Sequence, residues 1–308
     1  MRVIFDVVVP FFAVIFCGWA AFRTGAVDGT TARGLNAFVY WFALPSLLVL
    51  KVGSAPVGRL LDPGFLIVYF GPAMILYFTM LDYGRLVRRE DTASAALRAL
   101  AATFPNSGYM GIPLLIAAFG PEAALASILA LLLDQFVSIP LTVALVEGGS
   151  GRGGFLATLG RTLKGVLGNP LVLAVLTGAA LALSGWSLPG PLRGIAELLG
   201  AAASPCALFA LGTALAAVPV RGAFGEVALV TIVRLVAHPL LVWLAASFVQ
   251  PVAPEVLRAA LVTAALPTAA TVFVMAQRAD RFPASSTIVL VTHAGSIVTL
   301  SLLLVWFS

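Results

Sequence analysis

Apolar runs closed by charges or by Gly/Pro clusters follow one another along the whole chain. They cover residues 3–22, 35–50, 65–83, 95–119 and 123–146; after a polar, glycine-rich stretch at 147–168 they resume at 170–183, 195–218, 227–249, 256–277 and 284–307. A helix rising about 1.5 Å per residue needs about 20 apolar residues to cross the hydrocarbon of a bilayer. The pattern predicts an all-α integral membrane protein of ten spans, divided as 1–146, a connecting loop at 147–168, and 169–308.

Punctuation residues recur between the two halves. Pro10, Gly18 and Pro45 return as Pro170, Gly178 and Pro205, each 160 positions later. Ala102-Thr103-Phe104-Pro105 is similar to Ala264-Ala265-Leu266-Pro267 at an offset of 162, and Ser138-Ile139 to Ser296-Ile297 at 158. Five spans per copy put the second copy in the membrane upside down, so the expected architecture is two inverted five-helix repeats, a layout common among secondary transporters.

Charge sets the orientation. Arg23, Arg33, Arg85, Arg88, Arg89, Arg98, Arg152, Arg161, Lys164, Arg221, Arg278 and Arg281 fall to the odd-numbered connections, and only Arg2, Lys51, Arg59, Arg193 and Arg258 to the other side. The positive-inside rule then places the odd connections in the cytoplasm and both termini outside. Composition agrees with a lipid solvent: 61% of the 308 residues are apolar and 10% charged, against about 45–50% and 25% in soluble domains. The net charge of +5 is therefore read as topology, and no nucleic-acid partner is expected. Cys17 and Cys206 lie in apolar runs and suggest packing, not a disulfide. No cleavage site follows the first run, which is expected to be retained as a span.

Candidate chemistry lies where the apolar pattern fails. Pro105, Gly108, Gly111 and Pro113 crowd one span and predict a break in it, because proline removes a backbone donor. Groups freed by such a break must be buried in protein or line a wet cavity. Asn106 and Ser107 are placed to satisfy them, and the following half-helix would aim its positive end at an anion. Pro267 and Thr268, with Thr271, offer the matching break in the second half. Arg234 stands inside a span, either countering an anionic substrate or pairing with Asp134. Asp134 with His293, and His238 beside Pro239, are candidates for carrying a proton; Gln135 is a candidate substrate donor. Walker A, dinucleotide-binding and HExxH motifs are absent, so no enzyme, cofactor or metal site is expected.

Pro105-Asn106-Ser107-Gly108-Tyr109-Met110-Gly111-Ile112-Pro113-Leu114-Leu115 resembles the fourth-helix motif of the auxin efflux carrier family, which includes plant auxin carriers and bacterial malonate or malate permeases. Asn36 with Phe42 to Leu48, Gly168-Asn169-Pro170, Arg234 to Pro239, and Leu266-Pro267 with Phe273 to Ala276 extend the resemblance along nearly the whole chain. It implies broken, crossing helices four and nine, as in sodium/proton antiporters and bile-acid symporters. It also implies a scaffold of helices 1, 2, 6 and 7, often a dimer interface, and a moving unit of helices 3, 4, 5, 8, 9 and 10. Asn106 is implied as the leading substrate contact, with Gln135 a weaker one. The family's long plant-type loop is missing, which suggests a compact carrier of the bacterial inner membrane. The expected function is elevator-type transport of a small mono- or dicarboxylate, with H+ as a candidate coupling ion. The alternatives are a sodium-coupled symporter of the bile-acid type and a ligand sensor that does not transport.

Overall fold

The computed structural model describes residues 4–56, 63–148, 155–248 and 252–307. Those residues form thirteen helical segments in chain order: α1 Phe5–Arg23, α2 Gly29–Gly53, α3 Pro63–Val87, α4 Thr92–Thr103, α5 Ser107–Phe119, α6 Pro121–Gly148, α7 Phe155–Val166, α8 Pro170–Ser184, α9 Gly190–Ala217, α10 Phe224–Phe248, α11 Pro254–Ala264, α12 Ala270–Ala279 and α13 Ser285–Trp306. Seven are long and apolar enough to cross a bilayer: α1, α2, α3, α6, α9, α10 and α13. An eighth crossing is reached if α7 and α8, bent by 62° at their junction, count as one span. The remaining segments, α4, α5, α11 and α12, are short and flank two breaks.

Local chemistry sets the ends. Asp28 caps α2 by accepting from Thr31 N (2.7 Å), so this helix begins six residues before its apolar run and takes in Arg33. Asp91 caps α4 through Ser94 N (3.1 Å) and Asn169 caps α8 through Leu171 N (2.9 Å), each satisfying an orphan donor of a first turn. The stretch at 147–168 is not loop throughout: Leu156, Leu159, Leu163 and Val166 recur at helical spacing, and α7 forms on them. Arg161 Nη2 and Thr158 Oγ1 tie this helix to Glu147 at 3.0 and 3.2 Å. Leu156 of this helix is 78% exposed.

Prolines shape the spans in a second way. Six of the seven wide turns among the described residues, at Ile4–Val8, Val39–Ala43, Leu66–Phe70, Ser107–Gly111, Asp134–Ser138 and Val233–Ala237, end two residues before a proline. The proline has no N–H to return to the preceding turn. The residue just before it bonds five positions back instead, as Ile112 N does to Ser107 O and His238 N to Val233 O.

Helix packing uses glycine where backbones touch. A Cβ on Gly18 of α1 would sit 2.1 Å from Phe209 O of α9, and one on Gly178 of α8 would sit 2.8 Å from Val52 Cβ and 3.1 Å from Val49 O of α2. Small residues permit such approach between membrane helices, where packing replaces the hydrophobic drive. These contacts pair α1 with α9 and α2 with α8, and Gly200 of α9, where a Cβ would lie 3.3 Å from the Leu47 backbone of α2, brings the two pairs together. α3, α4, α10, α12 and α13 share a second core through Tyr77, Leu97, Val230, Val272 and Ile288.

Arg98, grouped with the third connection by its charge, is buried inside α4 (1% exposed). It donates to both Glu90 and Glu226 and lies over the Phe282 ring at 5.4 Å. Arg88 Nε reaches Glu90 Oε1 at 2.8 Å. Burial pushes the Glu90 carboxyl up, but hydrogen bonds from Arg98 and Arg88 outweigh it and hold the group below the usual carboxylate range. A carboxyl depressed in the folded state stabilises above its unfolded pKa of about 4.3 and loses that contribution as pH falls further. The melting temperature in detergent is expected to hold from neutral pH to about pH 5 and to fall below it. Glu90→Gln is expected to flatten part of that fall, and an unchanged acid profile would count against the linkage. Arg98→Ala is expected to cost about 3 kcal/mol at neutral pH, since it leaves Glu226 without its described partner and Glu90 with Arg88 alone.

Candidate functional site

The two breaks meet. Pro105 and Thr268 form an antiparallel bridge, with Asn106 N donating to Pro267 O (2.9 Å) and Ala269 N to Phe104 O (3.1 Å). Backbone that neither helix can satisfy is thus satisfied by the other break, as a low-dielectric interior demands. Asn106 has φ −80° and ψ 60°, close to an inverse γ-turn. Its carbonyl accepts from Met110 N and Gly111 N at 3.1 and 3.0 Å, starting α5 at the crossing. Gly111 keeps α5 against its neighbours: a Cβ there would lie 2.5 Å from Ser127 Oγ and 2.6 Å from Leu266 Cδ1. Gly108 makes only an ordinary approach to Leu131, at 3.7 Å, and Pro113 sets the wide first turn of α5.

Three polar side chains gather here. Asn106 Nδ2 lies 3.2 Å from His293 Nε2, and His293 Nδ1 lies 2.7 Å from Val289 O. A carbonyl only accepts, so Nδ1 carries a proton and donates it, and the neutral ring accepts from Asn106 at Nε2. Ser107 Oγ is buried without a hydrogen-bond partner. Thr268, by contrast, commits its hydroxyl to Ala101 O (2.7 Å), and its N–H donates to Thr292 Oγ1 (3.2 Å). Gln135 is half-buried and takes no part in the crossing's hydrogen bonds.

A second polar group lies behind the crossing. Arg234 is fully buried; its Nε donates to Leu266 O (2.7 Å), Nη1 to Thr103 O (2.8 Å) and Nη2 to Thr263 O (3.3 Å). Nη1 also lies 2.7 Å from His238 Nδ1, which therefore accepts. No ion pair within 4.0 Å joins Arg234 to Asp134 among the described residues. Asp134 Oδ1 accepts from Ser138 Oγ at 2.9 Å, while Oδ2 is buried and unpartnered, as are Tyr69 Oη and His238 Nε2. Tyr69 stacks obliquely on His238 with centroids 5.6 Å apart. Sequence reasoning reached Asp134, Arg234, His238 and His293 as intramembrane polar residues and missed Tyr69, whose hydroxyl a long apolar run conceals. It also joined His293 to Asp134, whereas the ring bonds to Asn106.

Cavities of ≈490, ≈440 and ≈660 Å³ open at the ends of the bundle. The first lies between Phe119, Glu122, Glu255 and Arg258; the other two lie at the arginine-rich end around Arg221, Arg278 and Arg281. Asn106 lines none of these three and is itself buried. Among the described residues no three His, Cys, Asp or Glu group to hold a metal.

Comparison with known proteins fits this geometry. A family model described as "Membrane transport protein" matches residues 3–304. A Rhizobium meliloti (strain 1021) protein named "Putative malonate transporter" is 32% identical over 308 residues, covering 99% of this chain and 96% of its own. "Uncharacterized transporter YfdV" of Escherichia coli (strain K12) is 25% identical over 298 residues, 94% of this chain and 93% of its own. An "Uncharacterized transporter" of Methanothermobacter thermautotrophicus is 26% identical over 242 residues, 77% of this chain and 76% of its own.

Proposed function

This chain belongs to the membrane transport protein family, the auxin efflux carriers, and from that premise we propose that it is a secondary carrier for a small organic anion. The reading favours a malonate-like mono- or dicarboxylate, moved by elevator-type alternating access. The observation that carries it is the crossing itself, where Asn106 and the unpartnered Ser107 hydroxyl meet the N-terminal, electropositive end of α5. Binding at a broken-helix crossing is the usual device of inverted-repeat transporters. The name of the Rhizobium relative supports the dicarboxylate end of the range.

Ten crossings follow if α4 with α5, and α11 with α12, each count as one broken span and α8 as another. Inversion is supported by two contacts: Gly18 packs on Phe209 O and Gly178 on Val49 O, and both members of the second pair lie 160 positions from their counterparts in the first. The same contacts, with Gly200 of α9 against the Leu47 backbone of α2, support α1, α2, α8 and α9 as the scaffold, with α3 to α6 and α10 to α13 as the moving unit. A homodimer would form through that scaffold, whose α9 exposes Ile195 and Leu198. The arginine-rich end is placed in the cytoplasm and both termini outside, in the inner membrane of a bacterium.

His293 is the preferred proton carrier. A proton arriving on Nε2 removes the acceptor that Asn106 Nδ2 uses, so the carboxamide must turn its oxygen to the ring, which changes what Asn106 offers a substrate. Asp134 and His238 are alternatives within the second polar group. The test is uptake of radiolabelled malonate, malate, indole-acetate and related acids into reconstituted vesicles. Saturable uptake of at least one acid is expected. Binding without flux across the panel would replace the carrier with a ligand sensor.

A further inference from the structure

We infer that Arg234 is a tethered cation seated where a broken-helix carrier would otherwise hold a coupling metal ion, so that this crossing needs no sodium. The inference rests on the carrier reading for its meaning but on the geometry of the crossing for its evidence. Thr103 ends α4, Thr263 lies in the last turn of α11, and Leu266 lies in the second break. Their carbonyls converge on one guanidinium at 2.8, 3.3 and 2.7 Å. Two helix C-termini, each the negative end of its dipole, thereby point at the same positive charge.

Such an assembly of unwound carbonyls and half-helix C-terminal ends is what binds Na+ in broken-helix transporters. Here it is filled from within the chain. The guanidinium stays charged under all working conditions and offers its donors in a fixed fork. It matches three separate carbonyls from both breaks, and the Nδ1 lone pair of His238 takes a fourth contact. The negative ends are neutralised in every state of the carrier by a charge that travels with the protein. No ion pair within 4.0 Å joins it to Asp134 among the described residues, and its hydrogen bonds go to the backbone of the crossing and to His238.

Two consequences separate this role from ordinary packing. Wild-type protein should be indifferent to alkali cations, and removal of the side chain should create a need for one. Thermal unfolding of purified protein in detergent, at matched ionic strength in NaCl, KCl or N-methyl-D-glucamine chloride, measures both without any transport assay. The wild-type midpoint is expected to be the same in all three. Arg234→Ala is expected to melt several degrees lower, and millimolar methylguanidinium or added NaCl to recover most of that loss. Arg234→Lys, which keeps one charge, is expected to melt between the two and to ignore sodium; it serves if Arg234→Ala does not fold. A saturable sodium-specific rise in the wild-type or Arg234→Lys midpoint would overturn the inference, as would an Arg234→Ala protein that no cation stabilises. A failure of vesicle uptake would bear on the carrier reading alone.

Discussion

Uptake by an Asn106→Ala carrier is expected to fall at least about tenfold, with the melting temperature within a few degrees of wild type. The two expectations separate because the residue's structural work is done by its backbone. Asn106 N bonds to Pro267 O, and its carbonyl holds Met110 and Gly111; alanine keeps all of these. Its backbone angles, φ −80° and ψ 60°, lie near the common inverse γ-turn, which alanine can adopt. The side chain's one described partner is His293 Nε2 at 3.2 Å, and His293 keeps its bond to Val289 O when the carboxamide is gone. Loss of one hydrogen bond to a charged ligand costs about 1.5–3 kcal/mol, or roughly ten- to a hundredfold in affinity. His293→Ala should leave a milder defect at fixed pH and a flatter dependence of uptake on pH. Wild-type uptake in Asn106→Ala would remove the residue from the site, and a large drop in stability would make it a structural part of the crossing.

The breaks in the fold were legible because proline acts locally. Pro105 and Pro267 each remove a donor that a helix cannot do without, and the structure interrupts both helices beside them. The wide turns carry the same kind of signal at longer range: Pro140 and Pro239 loosen the turns that hold Asp134 and Arg234. That spacing is visible in the chain once the missing N–H is followed back to the carbonyl it strands. Partners across the bundle were not legible. Arg98 read as an orienting charge, although it stands inside an apolar run, because the two carboxylates that make its burial tolerable lie 8 and 128 positions away. Arg234 invited pairing with an acid; beside His238 four positions on, its partners are carbonyls, which every residue has and no sequence displays. The helix in the connection at 147–168 was obscured by Gly151, Gly153 and Gly154, which precede a regular leucine spacing.

Gly212→Val is expected to abolish recovery of folded, monodisperse protein, and Gly212→Ala to lower the melting temperature by several degrees. A Cβ at this position would fall 1.9 Å from Ile15 O and 2.8 Å from Trp19 N, both backbone atoms of α1. No rotamer change relieves a clash with backbone, so α1 and α9 must separate, and Gly18 loses its approach to Phe209 O from the other side of the same contact. Overpacking a dense interior costs about 1–3 kcal/mol when side chains can adjust; here the adjustment is a displacement of a whole membrane helix. Small residues at such seams let backbones approach, and bilayer lipid supplies no compensating hydrophobic drive to hold a widened pair together. Gly194 in the same helix has open space where a Cβ would stand, so Gly194→Ala should be neutral or slightly stabilising through helix propensity, about 0.5–1 kcal/mol in favour of alanine. Size-exclusion profiles and melting curves of the three variants side by side decide the matter. A Gly212→Val protein that elutes and melts as wild type would mean that α1 and α9 do not pack through this seam, and the scaffold would have to be drawn from other helices.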